Sequence, residues 1–486
     1  MAMEFDTLIV GGTVVDGTGR PRYPADIGLR DGRIDRIGCL TASTARERID
    51  ATGMIVAPGF IDSHTHDDTA LLNTPCMIEK VSQGVTTVVA GNCGISIAPA
   101  ALPGAPPPPL DLIGDAAAYR FPSMGDYLDR LDRIPAATNS VMLVGHSSLR
   151  ASLMSNLNRA AGESELAEMK ALLAVAMEQG AVGLSTGLAY QPARGAPQSE
   201  IVELAKVVQA HRGLYATHMR DEADDVLPSI QEAVETSRAA DIPMVISHHK
   251  ILGKCNHGLS STSLAAISHA AKTQKLAIDV YPYIASSTVL KRDRVAQSNK
   301  VMITWSESMP DARGRFLSDI AADLACSEDD AIDRLQPAGA IYFVLSEEDV
   351  RRILQWPDAM IGSDGLPQDE FPHPRLWGSF PRVLGHYARD VGLFPLEEAV
   401  RKMTSLPARI FGLVDRGRIN EGSWADIVIF DAANVRDVAT FTDPMQPSEG
   451  IGMVLVNGDC VWNGTAVTGS TPGRALRRQN LSIPFE

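Results

Sequence analysis

The sequence predicts an α/β protein built on a (β/α)8 TIM barrel, with a small β-sandwich assembled from both chain termini and an insertion between barrel strands 7 and 8. Three observations carry this prediction. Eight short apolar runs recur through the middle of the chain, with amphipathic helical segments between most of them. Both ends have a different texture, short strands broken by Gly, Asp-Gly and Asn-Gly turns. No GxGxxG follows the first strand, which removes the usual ground for a dinucleotide-binding open sheet.

Taken in order, FDTLIVGGTVVDG, ADIGLRDGRIDRIG and TGMIVAPGF read as short antiparallel strands. GSWADIVIFD and GMVLVNGDCVWNGTAV repeat the pattern at the other end, with Asn457-Gly458 and Asn463-Gly464 as hairpin signals. Residues 1–58 and 413–486 are therefore assigned to one sandwich and 59–412 to the barrel. The barrel strand candidates are GFIDSHTH (59–66), VTTVVAGNC (85–93), SVMLVGH (140–146), AVGLSTG (181–187), LYATH (214–218), PMVISHH (243–249), LAIDVYPY (276–283) and AMIGSD (359–364). The helical segments between them include ESELAEMKALLAVAMEQG and VLPSIQEAVETSRAAD. About 75 residues separate the last two candidates, far more than a crossover helix needs. An inserted subdomain over 284–342, near the barrel mouth, accounts for them. The Pro-rich stretch 99–110 reads as a stiff surface loop.

The formal net charge is −15, from 44 Lys and Arg against 59 Asp and Glu. An acidic surface with no basic stripe argues against nucleic acid and anionic lipid as partners. No apolar run approaches the ~18 residues of a membrane span, and MAMEFDTLIVGG lacks a basic start and long apolar stretch, so a cytoplasmic protein is expected. The six cysteines (Cys39, Cys76, Cys93, Cys255, Cys326, Cys460) form no CxxC and read as reduced thiols. Oligomeric state is left open.

Catalytic groups of a barrel sit at the C-terminal ends of its strands. Candidate strand 1 ends in His64-Thr65-His66, and imidazoles at i, i+2 on a strand point to one side. Strand 2 ends in Cys93, strand 5 in His218, strand 6 in His248 and strand 8 in Asp364. Each alone is an ordinary packing or turn residue; His146, His211, His257, His269, His373 and His386 keep that reading. Independent structural roles have no reason to fall together on five strand tips, so these six residues are read as one metal site. His and Cys donors select zinc over magnesium or calcium. Bound zinc lowers the pKa of its water and polarises a carbonyl, and Asp364 is placed to move the proton. Such a set hydrolyses an amide, an ester or a similar bond.

With these residues and the terminal β-sandwich, APGFIDSHTH resembles the amidohydrolase superfamily. GNCGIS, GLSTGLAYQP, THMRDE, SHHK, YPY and IGSDGLP resemble its D-aminoacylase (N-acyl-D-amino-acid deacylase) branch over essentially the whole chain. The resemblance implies one tightly held zinc at Cys93, His218 and His248, a second, weaker site at His64 and His66, and Asp364 as proton shuttle. Strand 4 reads VGLSTG and lacks the carboxylated lysine that bridges two metals in other members; the Cys93 thiolate takes that position. The resemblance further implies that Lys250, Tyr281, Tyr283, Ser287 and Arg375 hold the α-carboxylate of an N-acyl-D-amino acid. In Lys291-Arg292-Asp293-Arg294, a cation, Arg294 or Arg292, is expected to pair with an acidic side chain, which favours N-acyl-D-glutamate. Three other readings stand beside this one: a cyclic amidase of the hydantoinase or dihydroorotase type, a deacylase for neutral hydrophobic D-amino acids, and an inactive binding scaffold.

Overall fold

Strands buried on both faces need near-continuous apolar sequence, and the middle of this chain supplies eight such runs. In the computed structural model, which describes residues 4–102 and 104–485, they form β1 (Phe60–Asp62), β2 (Val85–Ala90), β3 (Asn139–Gly145), β4 (Gly183–Gly187), β5 (Leu214–His218), β6 (Met244–Ile246), β7 (Leu276–Val280) and β8 (Ala359–Ile361). All pair in parallel in sequence order. The sheet closes between β8 and β1, where the Ser63 N–H donates to the Ile361 carbonyl and the Asp364 N–H to that of His64 at 2.8 Å.

The helices between strands follow from their patterns. Glu163–Gln179 buries Met169, Leu173, Ala176 and Met177 along one face. Glu165 accepts the Gly162 N–H at its start, and Gly180, at φ +126°, ends it. Val226–Ala240 buries Ile230, Ala233 and Val234, and stops at a left-handed Asp241.

The expected sandwich strands form two sheets. One runs Arg33–Gly38, Asp26–Arg30, Phe5–Val10, Ala45–Asp50. The other runs Asp459–Trp462, Ile451–Val456, Ile427–Phe430, Ile55–Pro58, Thr13–Val14, Tyr23–Pro24, so it mixes both ends of the chain. Ile9, Ile27 and Ile49 of the first sheet pack on Val56, Ile427 and Leu455 of the second. Asn457 and Gly458, both at positive φ, make the tight turn of a hairpin.

One stretch departs from the assignment of 413–486 to the sandwich. Ser140 exchanges hydrogen bonds with Arg474 and Leu476, and Leu476, Leu481 and Phe485 pack with the Ser405–Phe411 helix against the residues that fill the barrel. This apolar tail belongs to the barrel core because it covers surface that would otherwise face water.

Between β7 and β8, strands Ala285–Val289, Ala338–Phe343 and Val301–Ser306 form an antiparallel sheet in that order, over a core that includes Ile303, Leu317, Ile332 and Tyr342. The Pro-rich stretch, in which position 103 lies outside the described residues, does more than run over the surface: it leads to the turn Leu110–Ile113, whose Leu112 enters the cavity described next.

Candidate metal centre and active site

Apart from His218, the last residue of β5, the site is carried by the loops beyond the strand ends. Because β1 stops at Asp62, His64 and His66 lie on the following loop and not on a strand as their spacing suggested; their rings meet edge-on, with centroids 5.6 Å apart. Cys93, His248 and Asp364 all have positive φ, at 52°, 35° and 50°. Non-glycine residues hold that conformation at a cost, and such residues cluster at functional sites.

Six side chains converge at the mouth. Cys93 Sγ lies 3.2 Å from both His64 Nε2 and His248 Nε2, and His248 Nε2 is 2.9 Å from His218 Nδ1. His66 Nε2 is 3.2 Å from Asp364 Oδ1. The donors make two overlapping groups, Cys93/His218/His248 and His64/His66/Cys93/Asp364, each with its ligand atoms within 4.8 Å of one another, and Cys93 is common to both. Carboxylates stand behind the imidazoles: Asp279 holds His64 Nδ1 at 3.1 Å, and Glu222 holds His248 Nδ1 at 3.0 Å and faces His218 Nε2 at 3.5 Å. This leaves His64 Nε2, His218 Nδ1 and His248 Nε2 turned inward, as metal ligation requires.

The electrostatics favour the ligating forms of Cys93, His218 and Asp364. Burial would push the Cys93 thiol up, but His64 and His248 beside it and the hydrogen bonds of His218 and His248 bring it well below its usual value, to a thiolate. Burial takes His218 down to about 4, so its ring is neutral. Burial opposes the charge on Asp364 too, but Arg375, 2.8 Å from Oδ2, and the neighbouring histidines hold it well below the carboxylate range. Burial opposes charge on His64, His66 and His248, but Asp279, Asp364, Glu222 and the Cys93 thiolate hold all three up, His66 to about 9, so a metal would displace their protons. A thiolate with imidazoles suits zinc, and neither donor group is the all-oxygen set that magnesium or calcium takes.

A small cavity opens over these donors. Lys250, Ser287 and Arg294 line it with Tyr190, Glu222, Ser286 and Thr288, and Ile95, Leu112 and Leu366 form an apolar part of the wall. Tyr281 lies just behind, its ring between the cations of Arg375 (4.6 Å) and Lys250 (5.7 Å). Two expected substrate contacts are placed elsewhere. Tyr283 turns to the Pro374 carbonyl and Asp437, its ring against His373 and Phe441. Arg292 is 52% exposed and pairs with Asp333 at 2.5 Å. Arg292 and Arg294 are two residues apart on the short helix Arg292–Gln297, about 200° around it, so only one of them can face the cavity. That one is Arg294.

Four residues at or beneath the site were not picked out from sequence. Glu222 and Tyr190 lie within motifs already noted, THMRDE and GLAYQP. Asp279 is a lone carboxylate inside an apolar strand. Lys80, fully buried, joins Asp62 (2.9 Å), Asp67 (3.2 Å) and Ser363 (3.0 Å), and so ties the loop after β1 to the loop after β8.

The family model for the amidohydrolase family matches residues 47–299 and 308–462. The chain belongs to that family. It is accordingly a metal-dependent hydrolase of amide bonds. It is 52% identical to a D-aminoacylase of Alcaligenes xylosoxydans xylosoxydans over 98% of both chains, and 48% identical to an N-acyl-D-glutamate deacylase of the same organism, again over 98% of both. The structure of an N-acyl-D-glutamate deacylase from Bordetella bronchiseptica, complexed with zinc and a phosphonate that mimics the tetrahedral intermediate, matches with a TM-score of 0.95 at 46% identity, covering 97% of this chain and 99% of that one.

Proposed function

We propose that this amidohydrolase is an N-acyl-D-amino-acid deacylase, hydrolysing its substrate to a carboxylate and a free D-amino acid, and that N-acyl-D-glutamate is a favoured substrate. Cys93, His218 and His248 would hold one zinc tightly, with His64 and His66 as a second, weaker site. The observation that carries the reading is the shared thiolate: one sulfur joins the two donor groups directly beneath a cavity that holds both cations and unpaired hydroxyls.

When bound, zinc supplies a water of lowered pKa and polarises the amide carbonyl. Asp364 accepts a proton from the attacking water at Oδ1, the oxygen facing His66, while Arg375 fixes Oδ2. The proton then goes to the leaving nitrogen, completing general base and general acid steps with one carboxylate. Lys250 and the Ser287 hydroxyl, which has no hydrogen-bond partner of its own, suit the α-carboxylate. Arg375 and Tyr281 act from behind, by holding Asp364 and the floor of the cavity. Arg294 has a loose partner in Glu222, at 3.9 Å, and is free to pair with a side-chain carboxylate. The polar cavity and acidic surface favour a small molecule rather than nucleic acid. The six free cysteines suit the cytoplasm, and among the described residues no helix is long and apolar enough to cross a membrane.

The test is a hydrolysis panel of N-acetyl-D- and N-acetyl-L-amino acids with zinc-loaded protein, run beside Cys93→Ala. Turnover of the D series led by glutamate is expected, with most zinc and nearly all activity lost in the variant. Turnover confined to cyclic amides, or a full zinc complement in Cys93→Ala, would overturn the reading.

A further inference from the structure

No residue of β4 belongs to either donor group, yet one of its side chains grips the turn that carries the shared thiolate. That turn, 91–94, runs through space that leaves no room for side chains. A Cβ on Gly91 would lie 2.1 Å from the Leu143 carbonyl oxygen, and one on Gly94 would lie 2.6 Å from the Gly187 nitrogen. Both glycines have positive φ, as does Cys93 between them. Such a turn does not hold itself in place. The Ser185 hydroxyl, fully buried on β4, accepts the Gly94 N–H at 3.0 Å and donates to the Gly91 carbonyl. One hydroxyl thus uses its donor and its acceptor on the two flanks of Cys93. Asp68 braces a wider span, from Gly91 to Ile97, but Ser185 spans only the turn itself.

We propose that Ser185 is a positioning residue for the metal centre, fixing the Cys93 thiolate where both donor groups meet. The inference rests on the reading of Cys93 as a zinc ligand. Without the hydroxyl, the Gly91 carbonyl and Gly94 N–H lose a shared buried partner, and the turn can relax away from its strained geometry. The sulfur then moves relative to His218 and His248, whose own carboxylate supports are untouched. Supports of ligating groups contribute about 10–100-fold in metal affinity, which sets the expected effect.

The experiment measures zinc affinity by chelator competition, and the thiolate-to-metal charge-transfer absorption of the cobalt-substituted protein. Ser185→Ala should bind zinc about 10–100-fold more weakly and show a shifted or weakened charge-transfer band. Thr186→Val serves as the control for general loss of stability, since the Thr186 hydroxyl bonds Tyr215 and Thr217 instead of the Cys93 turn. It should lower the unfolding temperature while leaving affinity and band unchanged. Wild-type affinity and an unaltered band in Ser185→Ala would overturn the proposal, as would an equal loss in Thr186→Val. If Ser185→Ala does not fold, Ser185→Cys, a much weaker hydrogen-bonding group, replaces it under the same criteria. Failure of the underlying reading is separable. Cys93→Ala that retains zinc would overturn the reading of Cys93 as a ligand, and the role of Ser185 with it, whereas Cys93→Ala that loses zinc beside Ser185→Ala that keeps it would sink only the role of Ser185.

Discussion

Replacing Glu222 by glutamine removes one charge and almost no volume, which makes the consequences calculable. Oε1 accepts from Lys250 Nζ at 2.6 Å and faces His248 Nδ1 at 3.0 Å; Oε2 faces His218 Nε2 at 3.5 Å and Arg294 at 3.9 Å. With a metal on the inward nitrogens of the two histidines, their outer nitrogens would carry hydrogens, and all four neighbours would be donors. A glutamine offers one acceptor oxygen and one NH2, so in either orientation its NH2 faces donors. Removing one partner of a buried ion pair costs about 3–5 kcal/mol, here chiefly through Lys250 left without its counterion. Losing the carboxylate behind a ligating imidazole costs about 10–100-fold in metal affinity. Glu222→Gln should therefore show both losses, read by urea unfolding of the metal-free protein and by chelator competition for zinc. Adding Lys250→Met separates them: the double variant should regain part of the stability, because the stranded charge is gone, but not the zinc affinity. Wild-type zinc affinity in Glu222→Gln, with only stability reduced, would refute its role behind the ligands.

Three further outcomes follow from the same geometry. Asp364→Asn should retain tight zinc, since Cys93, His218 and His248 are untouched, but lose at least ~10²-fold in kcat, measured under saturating N-acyl-D-amino acid. Arg294→Met should lower kcat/KM for N-acyl-D-glutamate by roughly 10–10³-fold relative to the D-leucine derivative, whereas Arg292→Met should change neither, because it removes only an exposed ion pair worth about 0–1 kcal/mol. Away from the site, burial opposes the charge on Glu200, but the hydrogen bonds of His146 (2.9 Å) and Arg150 bring it down to about 2 from the usual 4.5. A depressed folded-state value stabilises above the unfolded one and is lost as pH falls. The stability gap between wild type and Glu200→Gln should thus be constant above about pH 5.5, shrink by about 1 kcal/mol by pH 4 and go on falling toward pH 2, as urea unfolding at each pH would show.

The barrel was legible because its strands are buried on both faces and so appear in sequence as unbroken apolar runs. The cluster of candidate donors was legible because cysteine and histidine at the tips of such runs have few competing explanations. What escaped depended on direction rather than composition. In the run Lys291 to Arg294 nothing marks which cation turns inward; six residues of helix decide it by sending Arg292 to Asp333 and Arg294 to the cavity. Tyr281 and Tyr283 differ by two positions in one motif, yet one lies under Arg375 and the other against Phe441. The final residues fall within the span assigned to the sandwich, yet Leu476, Leu481 and Phe485 pack against the barrel core.

Glu222, Asp279 and Ser185 escaped for a different reason. Carboxylates and serines are mostly surface residues, and only tertiary burial makes these three remarkable in function. Glu222 orients imidazole rings, while Asp279 and Ser185 hold the backbone that bears the donors. Apart from His218, the donor-bearing backbone lies beyond the strand ends, partly at positive φ, where the sheet ladder no longer holds it. Asp279 illustrates the substitute: one oxygen accepts the His248 N–H at 2.7 Å and also faces His64 Nδ1 at 3.1 Å, so a single strand residue fixes two loops from different parts of the chain. Loops held in this way can keep a geometry as exact as a strand would, while still reaching over the mouth where substrate arrives. The donors that sit on loops, Cys93, His64 and His248 among them, are thus held from beneath by polar strand side chains, Ser185 of β4 and Asp279 of β7.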